Sequence, residues 1–206
     1  MTPIVKIILT VLIVVCVLLS GFFSASEIVY SGVSKIKLKK KVEEGSKKAK
    51  AASKISDNFT DALSTILVGN NLVNILTSVV STRLAIEIWN EEIGPTMAVI
   101  LSTIIVLIFG EIVPKAVGNR YNYNLSMMFA SLFNFFRIIF FPITFVVTKF
   151  VSLLAKMWTP KEKEPTATDE ELIVLAEEME EEGVIDEDDA ELIISAIDFC
   201  DVTAHE

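Results

Sequence analysis

The third long apolar run of the chain, residues 96–115, carries a carboxylate at Glu111. Gly110 precedes it and Pro114 follows three residues later. Both residue types weaken helical hydrogen bonding, so backbone carbonyl oxygens are expected to be free beside the carboxylate. An ionisable side chain in a membrane span is costly and usually faces a cavity, a partner or an ion. The pattern therefore predicts a cation site in this run.

Amide side chains lie in the second apolar run, in the sequence VGNNLVN. Asn70 and Asn74 are four residues apart and therefore share one face of a helix. Their carbonyl oxygens are suitable ligands for a hard cation. The alternative is hydrogen bonding between helices, with Gly69 and Ser64 permitting a close approach.

The first apolar run ends in the sequence GFFSASE, which contains Ser24, Ser26 and Glu27. A serine in a membrane helix most often hydrogen-bonds to its own backbone, so neither Ser24 nor Ser26 would be predicted as a ligand if considered alone. Glu27 is expected either at the membrane interface, paired with a lysine, or at the ion.

Considered together, the three runs offer one carboxylate and several neutral oxygens. Such a set, completed by water, suits Mg²⁺, which keeps part of its hydration shell. It does not suit zinc, which prefers histidine and cysteine, and the only histidine is His205 in the tail. The predicted metal ligands are Ser24, Asn70, Asn74, Gly110 through its carbonyl, and Glu111.

The elements that must position these residues are membrane helices. The chain of 206 residues is 52% hydrophobic, and several runs exceed the length that suggests a membrane span. We expect an all-α membrane protein with three transmembrane helices at about residues 3–30, 61–86 and 95–117. Residues 121–158 are apolar but contain Arg137 and Pro142. They predict a kinked juxtamembrane belt helix or a re-entrant segment, with a fourth span as the alternative.

Charge divides the chain into two parts. The net charge is +7 up to Pro160 and −16 from Lys161 onward, which makes the overall −9. A transmembrane domain at 1–158 and an acidic helical bundle or linker at 159–206 are therefore expected. The nine lysines of residues 35–54 predict a cytoplasmic side by the positive-inside rule. The N-terminus is then outside the cell membrane and the acidic region is cytoplasmic.

The acidic region predicts two short amphipathic helices. Thr168 opens a capping box for the first, Gly183 ends it, and a second apolar face follows from residue 186. These helices are expected to pack on the membrane domain, on each other or on a second subunit. The lysine-rich segment is interpreted as a topology signal that can also contact anionic lipid; it has no aromatic residues, so nucleic acid binding is not expected.

The sequences GFFSASE, VGNNLVN and GEIVPK, in this order on three successive spans, resemble the transmembrane domain of the cyclin-M/CorB-CorC family. The resemblance covers about residues 1–155. It implies a homodimer with three membrane helices and a belt helix, transporting Mg²⁺, generally outward and coupled to Na⁺. It also places the Mg²⁺ ligands at the five residues named above, and a helix break at Pro114. The family's pair of cystathionine-β-synthase-type (CBS) domains would follow the acidic helices, so no ATP site is expected within these residues.

The leading hypothesis is thus a dimeric Mg²⁺ transporter that works by alternating access. A membrane-embedded Mg²⁺ sensor without transport activity would use the same ligands and remains open. A scaffold whose polar groups only join helices is a third hypothesis. An intramembrane hydrolase is disfavoured, because no HExxH, GxSxG or paired aspartate motif is present, and no enzymatic activity is expected.

Overall fold

The computed structural model describes residues 2–158, 169–181 and 183–200. Over this part of the chain every regular element is a helix, which confirms the all-α membrane class. The helices are α1 (Pro3–Gly32), α2 (Lys35–Glu43), α3 (Lys47–Asp57), α4 (Phe59–Ile88), α5 (Gly94–Ile105), α6 (Val113–Arg120), α7 (Asn122–Trp158), α8 (Asp169–Glu181) and α9 (Glu187–Cys200), with a π-helical segment at Val106–Ile112 joining α5 to α6.

Local signals explain where the membrane helices begin and turn. α1 starts with Pro3 in its first turn, where the missing N–H costs nothing. The lysine-rich segment forms two short helices, each capped by a serine hydroxyl, Ser34 for α2 and Ser46 for α3. Between α4 and α5, the Asn90 side chain accepts the backbone N–H groups of Glu92 and Ile93, which closes the turn.

The helix α1 lies at the centre of the bundle, packed against α4 and against the continuous helix formed by α5, the π segment and α6. Small residues permit these contacts. A Cβ added at Gly69 would come within 2.5 Å of the Phe23 ring, and one added at Gly118 would lie 3.1 Å from the Ala25 carbonyl oxygen. The backbones therefore approach closely enough for short polar side chains to meet between helices.

Aromatic rings attach α7 to α1. Phe136 packs edge-on against Phe23 with ring centroids 5.0 Å apart, and Phe140 lies 6.2 Å from the same ring. Further along, the Tyr30 hydroxyl donates to the Ser126 carbonyl at 3.0 Å. These contacts combine apolar burial with a satisfied phenol, which is the usual arrangement for a buried tyrosine.

The contacts of α7 remain at one end of the bundle, the lysine-rich end, where α1 ends and α4 begins. At the start of α7, Asn122 donates its side-chain amide to the Gly32 carbonyl at 2.9 Å. Some 26 residues later, Thr148 still lines a cavity with Lys54 and Thr65, close to the start of α4. A helix that ran perpendicular to the membrane plane would have advanced about 39 Å over these 26 residues, which is more than the ~30 Å thickness of the hydrocarbon core.

This geometry favours a belt helix, although α7 through Phe150 is also long and apolar enough to cross a membrane, like the three other long helical stretches. The helix is continuous through Pro142. The re-entrant hairpin that the sequence left open is therefore wrong, since a hairpin would need a reversal of the chain within these residues.

The chain divides into two compact units, Met1–Leu153 and Leu154–Glu206. In the second unit α8 and α9 pack on each other, with Ala176 and Ala190 buried between them. Gly183 follows α8 with a φ of 65°, a conformation that suits glycine, and Asp186 caps α9 by accepting the Asp189 N–H. The capping box predicted at Thr168 lies outside the described residues.

Candidate cation site

Three side-chain oxygens converge between α1 and α4. The hydroxyl oxygen of Ser20, which is fully buried, lies 2.9 Å from Oδ1 of Asn70 and 2.9 Å from Oδ1 of Asn74. A hydroxyl has one proton, so Ser20 can donate to only one of these amides at a time. The other amide then needs a different partner for its oxygen, such as a cation, or it rotates and donates its Nδ2–H to the Ser20 oxygen. By helix rise, Asn70 lies roughly 17 Å from the start of α4, which places this cluster deep in the span.

Gly110 brings the third helix against the same cluster. A Cβ added at Gly110 would lie 2.9 Å from the Ser20 hydroxyl oxygen, so only a glycine leaves room for it. On α1, a Cβ added at Gly21, the residue after Ser20, would lie 3.0 Å from Cγ of Pro114 and 3.2 Å from the Phe109 carbonyl oxygen. Backbone of the third helix therefore faces α1 directly at the level of Ser20.

The backbone here is π-helical. In the segment Val106–Ile112 hydrogen bonds skip one extra residue, as shown by the Val113 N–H, which bonds to the Ile108 carbonyl. Pro114 has no N–H, so neither the Gly110 nor the Phe109 carbonyl receives a bond from it. A single π turn inside an α-helix is frequently found at functional sites. The sequence predicted weakened backbone bonding at this point, and the π segment is the form it takes.

Glu111 lies within the π segment and lines a cavity of about 310 Å³ together with Asn74. The same cavity is lined by hydroxyls of α4 and α5, namely Thr77, Ser78, Ser102 and Thr103. Glu111 is half-buried, and no basic side chain of the described residues forms an ion pair with it. The cavity thus combines one unneutralised carboxylate with several neutral oxygens.

Glu27, the other carboxylate that the sequence singled out, is already paired. Its Oε2 lies 3.0 Å from Nζ of Lys115, which links α1 to α6. This is the lysine pairing that was one of the two expectations for Glu27. The pair leaves Glu111 as the carboxylate available for a cation among the predicted site residues.

Ser24 is buried and its hydroxyl has no hydrogen-bond partner among the described residues. A buried hydroxyl without a hydrogen-bond partner lowers the stability of the fold unless a ligand or a water molecule binds to it. Ser24 lies one turn after Ser20 on the same face of α1, so it is placed to extend the oxygen cluster. By contrast, Ser26 donates to the Phe22 carbonyl of its own helix at 2.7 Å, and Asn71 is exposed.

Ser20 was missed by the sequence reasoning, although the structure gives it the direct contacts with both asparagines. The signal was present, because Ser20 lies four residues before Ser24 and is followed by Gly21. Two serines at helical spacing beside a glycine mark a polar face in an apolar helix. In the described part of the chain, no three histidine, cysteine or acidic side chains come together. The candidate donors found there are therefore one carboxylate with hydroxyl, amide and backbone oxygens.

Long apolar helices around a shared cluster of buried oxygens define an integral membrane protein with a polar site inside its helical bundle. The chain belongs to the family of the cyclin M transmembrane N-terminal domain, CNNM, whose sequence model matches residues 11–189. This is the family that the three motifs resemble. It is a transporter-type family of membrane domains, linked to divalent cation handling.

Two relatives are similar to parts of the chain. A UPF0053 protein of Synechocystis sp. is 28% identical over 102 residues, which cover 50% of this chain and 28% of the relative. A DUF21 domain-containing protein of Arabidopsis thaliana is 33% identical over 60 residues, covering 29% of this chain and 11% of the relative. The matched stretches therefore span 28% of the length of the first relative and 11% of the second.

Proposed function

We propose that this chain binds Mg²⁺ between its membrane helices and carries it across the membrane by alternating access. The observation that carries the proposal is the convergence of Ser20, Asn70 and Asn74 oxygens beside Gly110, next to the cavity that holds Glu111. Family membership supports the divalent cation. The mixture of one carboxylate with neutral oxygens supports Mg²⁺ among such ions.

The residues divide the work by charge. Glu111 supplies the negative charge that offsets part of the cost of bringing a divalent cation into the bundle. The neutral oxygens of Asn70, Asn74 and Ser24 replace some water molecules of the hydration shell, and the remaining waters occupy the cavity. Because the Ser20 hydroxyl lies within hydrogen-bond distance of both amides and donates to one of them at a time, it acts as a positioning residue for the pair.

We further propose that the protein works as a homodimer in the cell membrane, with the lysine-rich end in the cytoplasm and the N-terminus outside. Outward transport coupled to Na⁺ entry belongs to the same proposal. The lysines of α2 and α3 support the orientation through the positive-inside rule. The direction and the coupling rest on the family resemblance.

The proposal is tested with purified protein in liposomes, loaded with a Mg²⁺-sensitive dye, with and without a Na⁺ gradient. The native chain should move Mg²⁺, and Glu111→Gln should lose most of that flux while it still folds. Glu91→Gln, which removes the same charge from the exposed loop after α4, is the matched control and should keep full flux. Binding of Mg²⁺ without flux in the native protein would instead identify a sensor and overturn the transport proposal.

A further inference from the structure

A second polar cavity, of about 360 Å³, lies between the start of α4 and the belt helix α7. It is distinct from the cation site and shares no lining residue with the cavity of Glu111. Two basic side chains, Lys54 and Arg137, face it, together with one acid, Asp61. The other lining residues are Asn58, Thr65, Phe141, Thr144, Phe145 and Thr148.

Arg137 is the residue that most needs an explanation. It lies in the middle of an apolar helix and is half-buried, yet no hydrogen bond or ion pair of it is found among the described residues. A guanidinium in such a place is costly unless an anion neutralises it. Its planar set of N–H donors matches the oxygens of a phosphate or carboxylate.

The protein itself does not supply enough negative charge. Asp61, the acid of this cavity, lies in the first turn of α4, where a carboxylate is stabilised by the helix dipole. It forms no ion pair with Arg137 or Lys54 in the described structure, and it leaves the lining with a net charge of +1. The Asn58 side chain makes no capping hydrogen bond to α4, and its Nδ2–H donates to the Lys54 carbonyl.

Part of the cavity lining is apolar, because Phe141 and Phe145 follow Arg137 at i+4 and i+8 on the same face of α7. Phe141 is 61% exposed and Phe145 is 50% exposed, which is far more than a packed aromatic residue shows. Lys149 lies over the Phe145 ring, 5.7 Å from its centroid, and adds a third basic group at this edge. A ligand that contacts both the basic groups and the exposed rings must join an anionic head to an apolar body.

We propose that this cavity binds an anionic phospholipid. Its phosphate would be held by Arg137 and Lys54, and an acyl chain would cover Phe141 and Phe145. The position fits, because the cavity lies at the lysine-rich end of the bundle, where lipid headgroups meet the start of α4. The bound lipid would fasten α7 to α4 and so hold the belt helix in place.

The test measures lipid binding by native mass spectrometry of the purified full chain, titrated with phosphatidylglycerol or with phosphatidylcholine. The native protein should retain one phosphatidylglycerol per chain in preference to phosphatidylcholine. Arg137→Gln should weaken phosphatidylglycerol binding by about fivefold or more, as expected for one basic group at a lipid headgroup. Lys48→Gln, which removes an exposed lysine of α3 outside the cavity, is the matched control and should change binding little.

Two further variants keep the proposal falsifiable if Arg137→Gln fails to fold. Arg137→Lys should recover only part of the binding, because it keeps the charge but loses the planar set of donors. Asp61→Asn should strengthen binding, because it removes the acid from the lining. Equal loss in Arg137→Gln and Lys48→Gln would overturn the proposal, since binding would then depend on total charge alone. Displacement of the lipid by millimolar inorganic phosphate would also overturn it, because the cavity would then recognise a free anion.

Discussion

At the residue scale, Ser20 decides how the two asparagines are held. Ser20→Ala would leave both half-buried amides without their common partner, so we expect the free energy of unfolding to fall by about 1 kcal/mol and Mg²⁺ binding to weaken. Ser26→Ala is the matched control, since the Ser26 hydroxyl bonds only to its own helix. Chemical denaturation and a Mg²⁺ titration check both effects, and equal behaviour of the two variants would contradict the role given to Ser20.

Gly110 makes a second residue-scale prediction. Gly110→Ala places a methyl group 2.9 Å from the Ser20 hydroxyl oxygen and 3.2 Å from its Cβ, so the hydroxyl must rotate away from the asparagines or the two helices must separate. We expect Mg²⁺ flux in liposomes to be largely lost. Gly32→Ala is the control, because its Cβ would meet only the Asn122 amide at 3.6 Å, an ordinary contact. Full flux in Gly110→Ala would show that close helix approach is not needed.

The sequence predicted the residue types of the site better than their contacts. Asn70, Asn74 and Glu111 stood out because polar side chains are rare in apolar helices, and Gly110 because glycine weakens helical bonding. The structure places all four around one region. Ser20 could not be chosen over Ser24 from spacing alone, since both lie on one face of α1. Which of them contacts the asparagines depends on the axial level at which α1 and α4 pack, and that level is set by tertiary packing.

At the scale of elements, the π segment is the feature that periodicity could not predict. A π turn adds one residue to a single turn of the helix, and the 3.6-residue spacing of apolar side chains does not reveal such a local insertion. Pro114→Ala restores an N–H that can bond to a carbonyl of the π turn, so the segment should rewind towards an α-helix. We expect lower Mg²⁺ affinity, because Gly110 and Glu111 would rotate away from α1 and α4.

The matching control for Pro114→Ala is Pro142→Ala, which restores an N–H in α7, away from the cation site. Both variants gain a helical hydrogen bond, but only the first should lose Mg²⁺ binding. A calorimetric titration with Mg²⁺ decides between them. Equal affinities in the two variants would mean that the π turn has no part in the site.

The salt bridge between Glu27 and Lys115 is also an element-scale feature, because it joins α1 to α6. Both side chains are about one-third exposed, so the pair is expected to contribute less than about 1 kcal/mol. Glu27→Gln should therefore change stability and flux only slightly, in contrast to Glu111→Gln. Loss of flux in Glu27→Gln, measured in the same liposome assay, would show that this pair takes part in transport.

At the scale of the whole molecule, the path of α7 determines how many times the chain crosses the membrane. In a variant whose own cysteines are replaced, single cysteines at Lys39, Glu91 and Lys149 can be labelled from one side of the membrane at a time. We expect Lys39→Cys and Lys149→Cys to react from the same side, and Glu91→Cys from the other. Reaction of Lys149→Cys together with Glu91→Cys would instead make α7 a fourth span.

The all-α membrane class was predictable at this scale, because apolar length acts over whole segments, whereas the orientation predicted from the lysines stays a prediction. The three predicted spans fall inside α1, α4 and the helix from Gly94 to Arg120. The form of α7 was not predictable, since Arg137 and Pro142 are compatible with a belt, a hairpin or a crossing. It is the contacts of its two ends with the lysine-rich end that favour the belt.

The unpaired carboxylate of Glu111 has an electrical consequence for the proposed cycle. With Glu111 ionised, the site carries a charge of −1 when empty and +1 when it holds Mg²⁺, so both steps would respond to the membrane voltage. A site that holds one Na⁺ is neutral, and its movement would be indifferent to voltage. One charge moved through 100 mV is worth about 2.3 kcal/mol. Whether the site returns empty or with Na⁺ would therefore determine how strongly the membrane voltage affects the transport cycle.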